Sequence, residues 1–227
     1  MKSRQNNEKV SRAVLILAAA ALLGWGGKIG FSHIREAVTE SVEKPRVALT
    51  FDDGPHPVYT VQLSKELAER NIKASFFLIG QKAERYKDVV KQLKADGHLI
   101  GNHSYDHVNL ADVSEKEACS QILRTCNLIY EITGEFPNYV RPPFGKWDDD
   151  LECSVELIPV FWTLDSRDWE QRDADGVAER VLRTVEEEDI ILMHDCYQTS
   201  VEAALEIVDE LTERGYEFVT VDALVCE

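Results

Sequence analysis

From Pro45 onward, short apolar runs alternate with segments of helical period, and this alternation constrains the fold more than any single residue does. Runs at Val47–Phe51, Ala74–Ile79, His98–Gly101, Tyr139–Arg141, Ile158–Leu164, Ile190–Met193 and Phe218–Val221 read as seven strands. Helical periodicity covers Val58–Glu69, Gln81–Ala95 and Ser200–Arg214, with weaker signals at Trp147–Glu156 and Gly176–Glu187. Ser114 with Glu117 forms a capping box that opens a further helix, and Gly134 stops it. Strands separated by helices pair in parallel, since that pairing needs a long crossover. The fold class is therefore α/β, either a barrel or a doubly wound sheet.

The reactive side chains fall in one phase of this repeat. Asp52 and Asp53 follow the first strand and His103 follows the third. Arg141 ends the fourth, Asp165 and Asp168 follow the fifth, and His194 ends the sixth. Titratable groups at the carboxyl ends of parallel strands converge on one face, where barrels carry their active sites.

Ahead of this domain the composition changes. Residues 1–43 hold six basic and four acidic residues, a net +2, which leaves −18 on the remainder. An acidic domain of that size excludes a nucleic-acid partner, which needs a basic face. Residues 1–12 are basic, and Ala13–Gly27 is a 15-residue uncharged run. As a helix that run spans about 22 Å against the ~30 Å hydrocarbon core, and snorkelling by Lys28 with inclusion of Ile29 to Phe31 narrows the gap. The expected organisation is a cytoplasmic n-region (1–12), a signal anchor or cleaved signal peptide (13–31), a stalk (32–44) and an exported catalytic domain (45–227). A buried core helix is the alternative for the apolar run. The five cysteines contain no C-x-x-C pair, so no cysteine zinc site is expected. Cys119 and Cys126 lie too far apart along a helix to bridge, and no disulfide framework is read.

Each motif carries its own chemistry. In T-F-D-D-G-P-H (Thr50–His56), Asp-Gly-Pro is turn chemistry, but two adjacent carboxylates call for a cation or a shared proton. In H-S-Y-D-H, His103 and His107 are four apart, which on a helical turn points both imidazoles the same way. With Asp53 they make a three-ligand set that leaves coordination open, the catalytic zinc pattern; an exposed loop is the alternative. Arg141 in R-P-P-F-G suits clamping of a carboxylate. D-S-R-D-W (Asp165–Trp169) is either two further site carboxylates with an aromatic wall or an acidic loop. His194 in L-M-H is a site residue or a satisfied core histidine, and a thiol nucleophile at Cys196 is disfavoured because a metal route is already complete.

Taken in order, these five motifs resemble those of family-four carbohydrate esterases, the polysaccharide deacetylases with a NodB-like homology domain, over about Arg46 to Leu224. The resemblance implies a distorted (β/α) barrel of about seven units. It implies Asp53, His103 and His107 as ligands of Zn2+ or another divalent metal such as Co2+. Asp52 resembles the general base, held by Arg141; His194 resembles the general acid, tuned by Asp168. Trp169 and Leu192 would wall the acetyl methyl, and the Phe144 backbone N–H would help to hold the oxyanion. The family's tyrosine in the third motif is phenylalanine here. The implied activity is removal of N-acetyl groups from N-acetylglucosamine units of a cell-surface glycan, peptidoglycan first. Chitooligosaccharides, acetylxylan O-esters and an inactive glycan-binding role are the alternatives. A monomer tied to the membrane by its N-terminal helix is expected.

Overall fold

The computed structural model describes residues 44–225. The expected n-region, the signal or anchor segment, all of the stalk but Lys44, and Cys226 lie outside the described residues. Among the described residues no helix is long and apolar enough to cross a membrane.

The strands are β1 (Arg46–Gly54), β2 (Ser75–Leu78), β3 (Leu99–Asn102), β4 (Tyr139–Val140), β5 (Ile158–Pro159), β6 (Leu164–Asp165), β7 (Ile190–His194) and β8 (Glu217–Val219). Every pairing is parallel, in the order β5-β4-β3-β2-β1-β7-β6, and β8 lies beside the first residues of β1. The run Ile158–Leu164, expected as one strand, divides between the two edges of the sheet. β5 pairs with β4, and β6 pairs with β7. Between them, Val160 N donates to Val140 O (2.8 Å) and Thr163 N donates to Ile190 O (3.0 Å). One short stretch bonded to both edges draws them together. The sheet is thereby curled as in a distorted barrel, and the open doubly wound alternative is set aside.

The helices are α1 (Tyr59–Glu69), α2 (Gly80–Arg85), α3 (Lys87–Ala95), α4 (Glu115–Thr133), α5 (Ala174–Thr184), α6 (Gln198–Glu213) and the short α7 (Asp222–Val225). The helix expected over Gln81–Ala95 breaks into α2 and α3 at Tyr86, whose backbone is non-helical (φ −122°, ψ 48°). The α4 cap forms as the sequence requires: Ser114 accepts from Glu117 N, and Gly134 closes the helix at φ 79°. Alternation along β1 fixes the layers. Val47, Leu49 and Phe51 join the core beneath Leu63 and Leu67 of α1 and Ile207 and Leu211 of α6. The intervening Ala48 packs with Phe77 and Val160 in a second cluster, so Thr50 and Asp52 continue the phase that faces inside the curl.

The helical signal at Trp147–Glu156 forms no helix. Its Asp148 side chain accepts from Asp150 N (3.0 Å), a local turn that competes with helical bonding. Its apolar residues Trp147, Leu151 and Val155 instead pack with Ile122 and Cys126 of α4. The same segment corrects the cysteine reading, because Cys153 bonds to Cys119 with 5.3 Å between their Cα atoms. Cys119 and Cys126 do not bridge, and Cys126 and Cys196 are free thiols.

Candidate active site

Neighbouring residues of a regular strand point to opposite faces, so Asp52 and Asp53 serve one site only if the strand is broken between them. It is. The β1–β2 register shifts between Asp52 and Gly54, and Asp53 sits at φ 69°. Such a bulge re-aims a side chain. The Asp53 carboxylate thereby comes within 3.4 Å of His103 Nε2 and 3.2 Å of His107 Nε2.

The two histidines do converge, but not on the helical turn their spacing suggested. Residues 103–109 form a loop, with Ser104 at φ 59° and His107 at φ 58°, and the two rings lie 5.0 Å apart. His103 is nearly fully buried, and its Nδ1 donates to Arg141 O at 2.6 Å, since a carbonyl only accepts. That bond fixes the ring so that Nε2 faces Asp53. Ligand atoms of Asp53, His103 and His107 all lie within 4.8 Å of one another. Asp53 Oδ1 is buried and without a hydrogen-bond partner. A buried, ionised oxygen facing two imidazole nitrogens is costly unless a cation or protons compensate it, so this set fits a divalent metal. The electrostatics agree in direction. Burial works to raise the Asp53 pKa, but His103, His107 and His194 overcome it and hold the carboxyl well below the usual carboxylate range. Burial pushes the His107 pKa down despite Asp53, which keeps its ring neutral and able to ligate.

Asp52 is fixed from behind. Arg141, with no exposed surface, donates from Nη1 to Asp52 Oδ1 (2.9 Å) and to Thr50 Oγ1 (2.7 Å). Thr50 in turn donates to Ile191 O (2.6 Å). Arg141 also reaches Val160 O and Phe161 O, and its guanidinium lies 4.2 Å from the Phe77 ring centre. Five donors and an aromatic face leave this cation little freedom.

His194 is the direct neighbour of Asp52 across the β1–β7 ladder. Its Nδ1 bonds Asp168 Oδ1 (2.8 Å), and its backbone N donates to Asp168 Oδ2 (2.7 Å). Burial opposes a charge on the imidazole. The Asp168 hydrogen bond, with the charges of Asp168, Asp52 and Asp53, outweighs it and lifts the pKa to about 9. Because the folded value lies above the ordinary 6.5, the pairing stabilises the fold fully below pH 6.5 and ceases to do so as pH rises through about 9. In metal-free protein the His194 proton resonance should therefore titrate near 9, and Asp168→Asn should bring it down. A wild-type His194 titrating at 6.5 would refute the pairing.

Phe144, Trp169 and Leu192 line the same cavity of about 440 Å³ as Asp52, Asp53, both loop histidines and His194. Phe144 adopts φ 61° and its ring sits edge-on to His107 at 4.9 Å. Leu192 is buried, whereas Trp169 is half exposed. All ten side chains singled out in the sequence thus belong to this cavity or brace a residue that lines it. Sequence reasoning missed three more. Thr50 stood within the first motif but read as strand. Trp162 lines the cavity from inside a run taken as uninterrupted strand, whereas Asp165, which the D-S-R-D-W motif did offer as a site carboxylate, lines it from the end of β6. Asp195, wholly buried behind the site and pushed up to about 7 by that burial, carried no signal beyond its place after His194.

A parallel curled sheet with carboxylates and imidazoles gathered at its carboxyl ends, three of them able to hold a metal ion, has the layout of a hydrolase site. The chain belongs to the polysaccharide deacetylase family, whose model matches residues 39–158. It is 38% identical over 178 residues to the peptidoglycan-N-acetylmuramic acid deacetylase PdaC of Bacillus subtilis, covering 78% of this chain and 38% of that protein. It is 37% identical over 188 residues to a peptidoglycan-N-acetylglucosamine deacetylase of Bacillus cereus, covering 80% of this chain and 68% of that protein. The structure of peptidoglycan deacetylase PdaC from Bacillus subtilis superposes with a TM-score of 0.77, covering 80% of this chain and 90% of the solved one.

Proposed function

We propose that this protein is a metal-dependent N-deacetylase that removes acetyl groups from N-acetylglucosamine units of peptidoglycan. The observation that carries the reading is the division of labour at β1, where Asp52 is held by Arg141 and the adjacent Asp53 faces two imidazoles. Asp53, His103 and His107 would hold the ion, with zinc the metal their nitrogen and oxygen donors suit. An ion held by these three residues would supply Lewis-acid polarisation of the amide carbonyl and a lowered pKa for a water there.

The chain's own residues do the rest. Asp52 accepts the proton of the attacking water, and Arg141 keeps its carboxylate oriented. The Phe144 backbone N–H donates to the carbonyl oxygen as charge develops on it. Leu192 and Trp169 wall the acetyl methyl and limit water around it. His194 carries its proton on Nε2, because Nδ1 is tied to Asp168, and gives it to the departing amine. The sugar then leaves as a free amine, and acetate remains.

Peptidoglycan is favoured by the names of the relatives, one of which is a muramic acid deacetylase; that sugar is the specific rival. Acetate release should be measured with zinc supplied on peptidoglycan, chitooligosaccharides and acetylxylan, followed by mass spectrometry of digested muropeptides. Loss of acetyl from glucosamine in peptidoglycan is expected. Loss from muramic acid alone reassigns the sugar, and release from none of the substrates overturns the reading.

Export supports the same substrate: a basic segment followed by 15 uncharged residues suits a signal anchor with the acidic domain outside the cytoplasmic membrane. The full-length protein, a monomer in this proposal, should fractionate with membranes. A mature N-terminus found between Leu22 and Ile34 would overturn the anchor.

A further inference from the structure

Asp53 is the ligand that the sheet does not hold. The register shift between Asp52 and Gly54 leaves it out of the β1–β2 ladder, so contacts outside the ladder must set where its carboxylate points. One is visible on one side, where Lys82 Nζ donates to Asp53 O (2.7 Å); the ladder itself resumes at Gly54, whose O accepts from Ile79 N (2.9 Å). On the other side stands Asp195, fully buried. Gly54 packs so closely on it that a Cβ there would come within 2.5 Å and 2.6 Å of its two carboxylate oxygens. Thr60 donates its hydroxyl to Asp195 Oδ2, and the same hydroxyl oxygen accepts from His56 N at 2.7 Å. The turn from Asp53 to His56 is thus gripped through its backbone by a directional relay, His56 N–H to Thr60 O–H to Asp195.

We propose that Asp195 and Thr60 are positioning residues that fix the Asp53 turn for metal binding. The inference rests on the metal reading of the Asp53, His103 and His107 set. Neither residue reaches the ligand atoms; their effect passes through the backbone of residues 54–56. Outer groups that orient a ligand typically change metal affinity about 10–100-fold when removed. Burying a carboxylate whose second oxygen lacks a partner is unfavourable in itself, so this group is a poor way to stabilise a fold and a good way to hold a turn.

The experiment measures zinc affinity of the full chain by competition with a chromogenic chelator, beside thermal unfolding of the metal-free protein. Thr60→Val keeps the shape and removes the relay, so zinc affinity should fall about 10–100-fold. Asp195→Asn keeps an acceptor for the Thr60 hydroxyl and should restore most of the affinity that Asp195→Ala loses. Gly54→Ala should weaken zinc by forcing the turn off Asp195. A purely structural role would lower the unfolding midpoint of Thr60→Val while leaving its zinc affinity at the wild-type value, and that result overturns the proposal. Wild-type protein that fails to bind zinc refutes the metal reading instead, which separates the two.

Discussion

Asp52→Asn should retain zinc and lose about 10²–10⁴-fold in acetate release, the usual contribution of a positioned base. That range corresponds to roughly 3–5 kcal/mol of barrier at about 1.36 kcal/mol per tenfold. The asparagine keeps the shape of the side chain and an oxygen for the Arg141 bond, so only the proton acceptor is removed. Asp53→Ala should fail differently. It deletes the oxygen that faces both His103 and His107, so bound zinc should drop sharply and activity with it. Metal content and acetate release, measured side by side, decide the assignment. Zinc lost from Asp52→Asn and kept by Asp53→Ala reverses the two roles, and full activity in both refutes the site.

That two neighbours are placed so differently was legible in the sequence only in part. The phase of the β/α repeat placed Asp52, His103, Arg141, Asp168 and His194 at strand ends, because strand position is governed by apolar periodicity that any reader can count. The geometry joining His103 to His107 was not. Four-residue spacing suggests a helical turn, yet the structure uses two left-handed residues, Ser104 and His107, which periodicity does not encode. The Asp53 bulge escaped for the same reason: it is a local break of register, beside a Gly54 packed on Asp195, that apolar periodicity does not encode.

The fold shows a parallel split. Strands with long apolar runs were read near their true positions, while Ile158–Leu164 was merged into one because its apolar character is continuous. What divides it is tertiary: its two ends bond different edges of the sheet. Trp147–Glu156 reads as weakly helical because the spacing of its apolar residues serves packing on α4 instead. The Cys119–Cys153 bond depends on that packing and has no signature in cysteine spacing.

Arg141 joins the two levels, and its replacement should be the most damaging to the fold. Arg141→Met fills much of the same volume but strands Asp52, nearly fully buried, without its cation. Removing one partner of a buried pair costs about 3–5 kcal/mol, because the remaining charge is left uncompensated. Arg141 also bonds Val160 O and Phe161 O in the stretch that links the two sheet edges, so the curl of the sheet and the placement of Asp52 share one side chain. Urea unfolding of four proteins isolates the cause: wild type, Arg141→Met, Asp52→Asn and the double variant. If the stranded charge dominates, Asp52→Asn should recover part of the loss, making the double variant more stable than Arg141→Met alone. If the bonds to Val160 and Phe161 dominate, the double variant is no more stable than Arg141→Met. A loss below about 1 kcal/mol, the scale of an exposed ion pair, would mean that Arg141 neither clamps Asp52 nor helps to draw the sheet edges together.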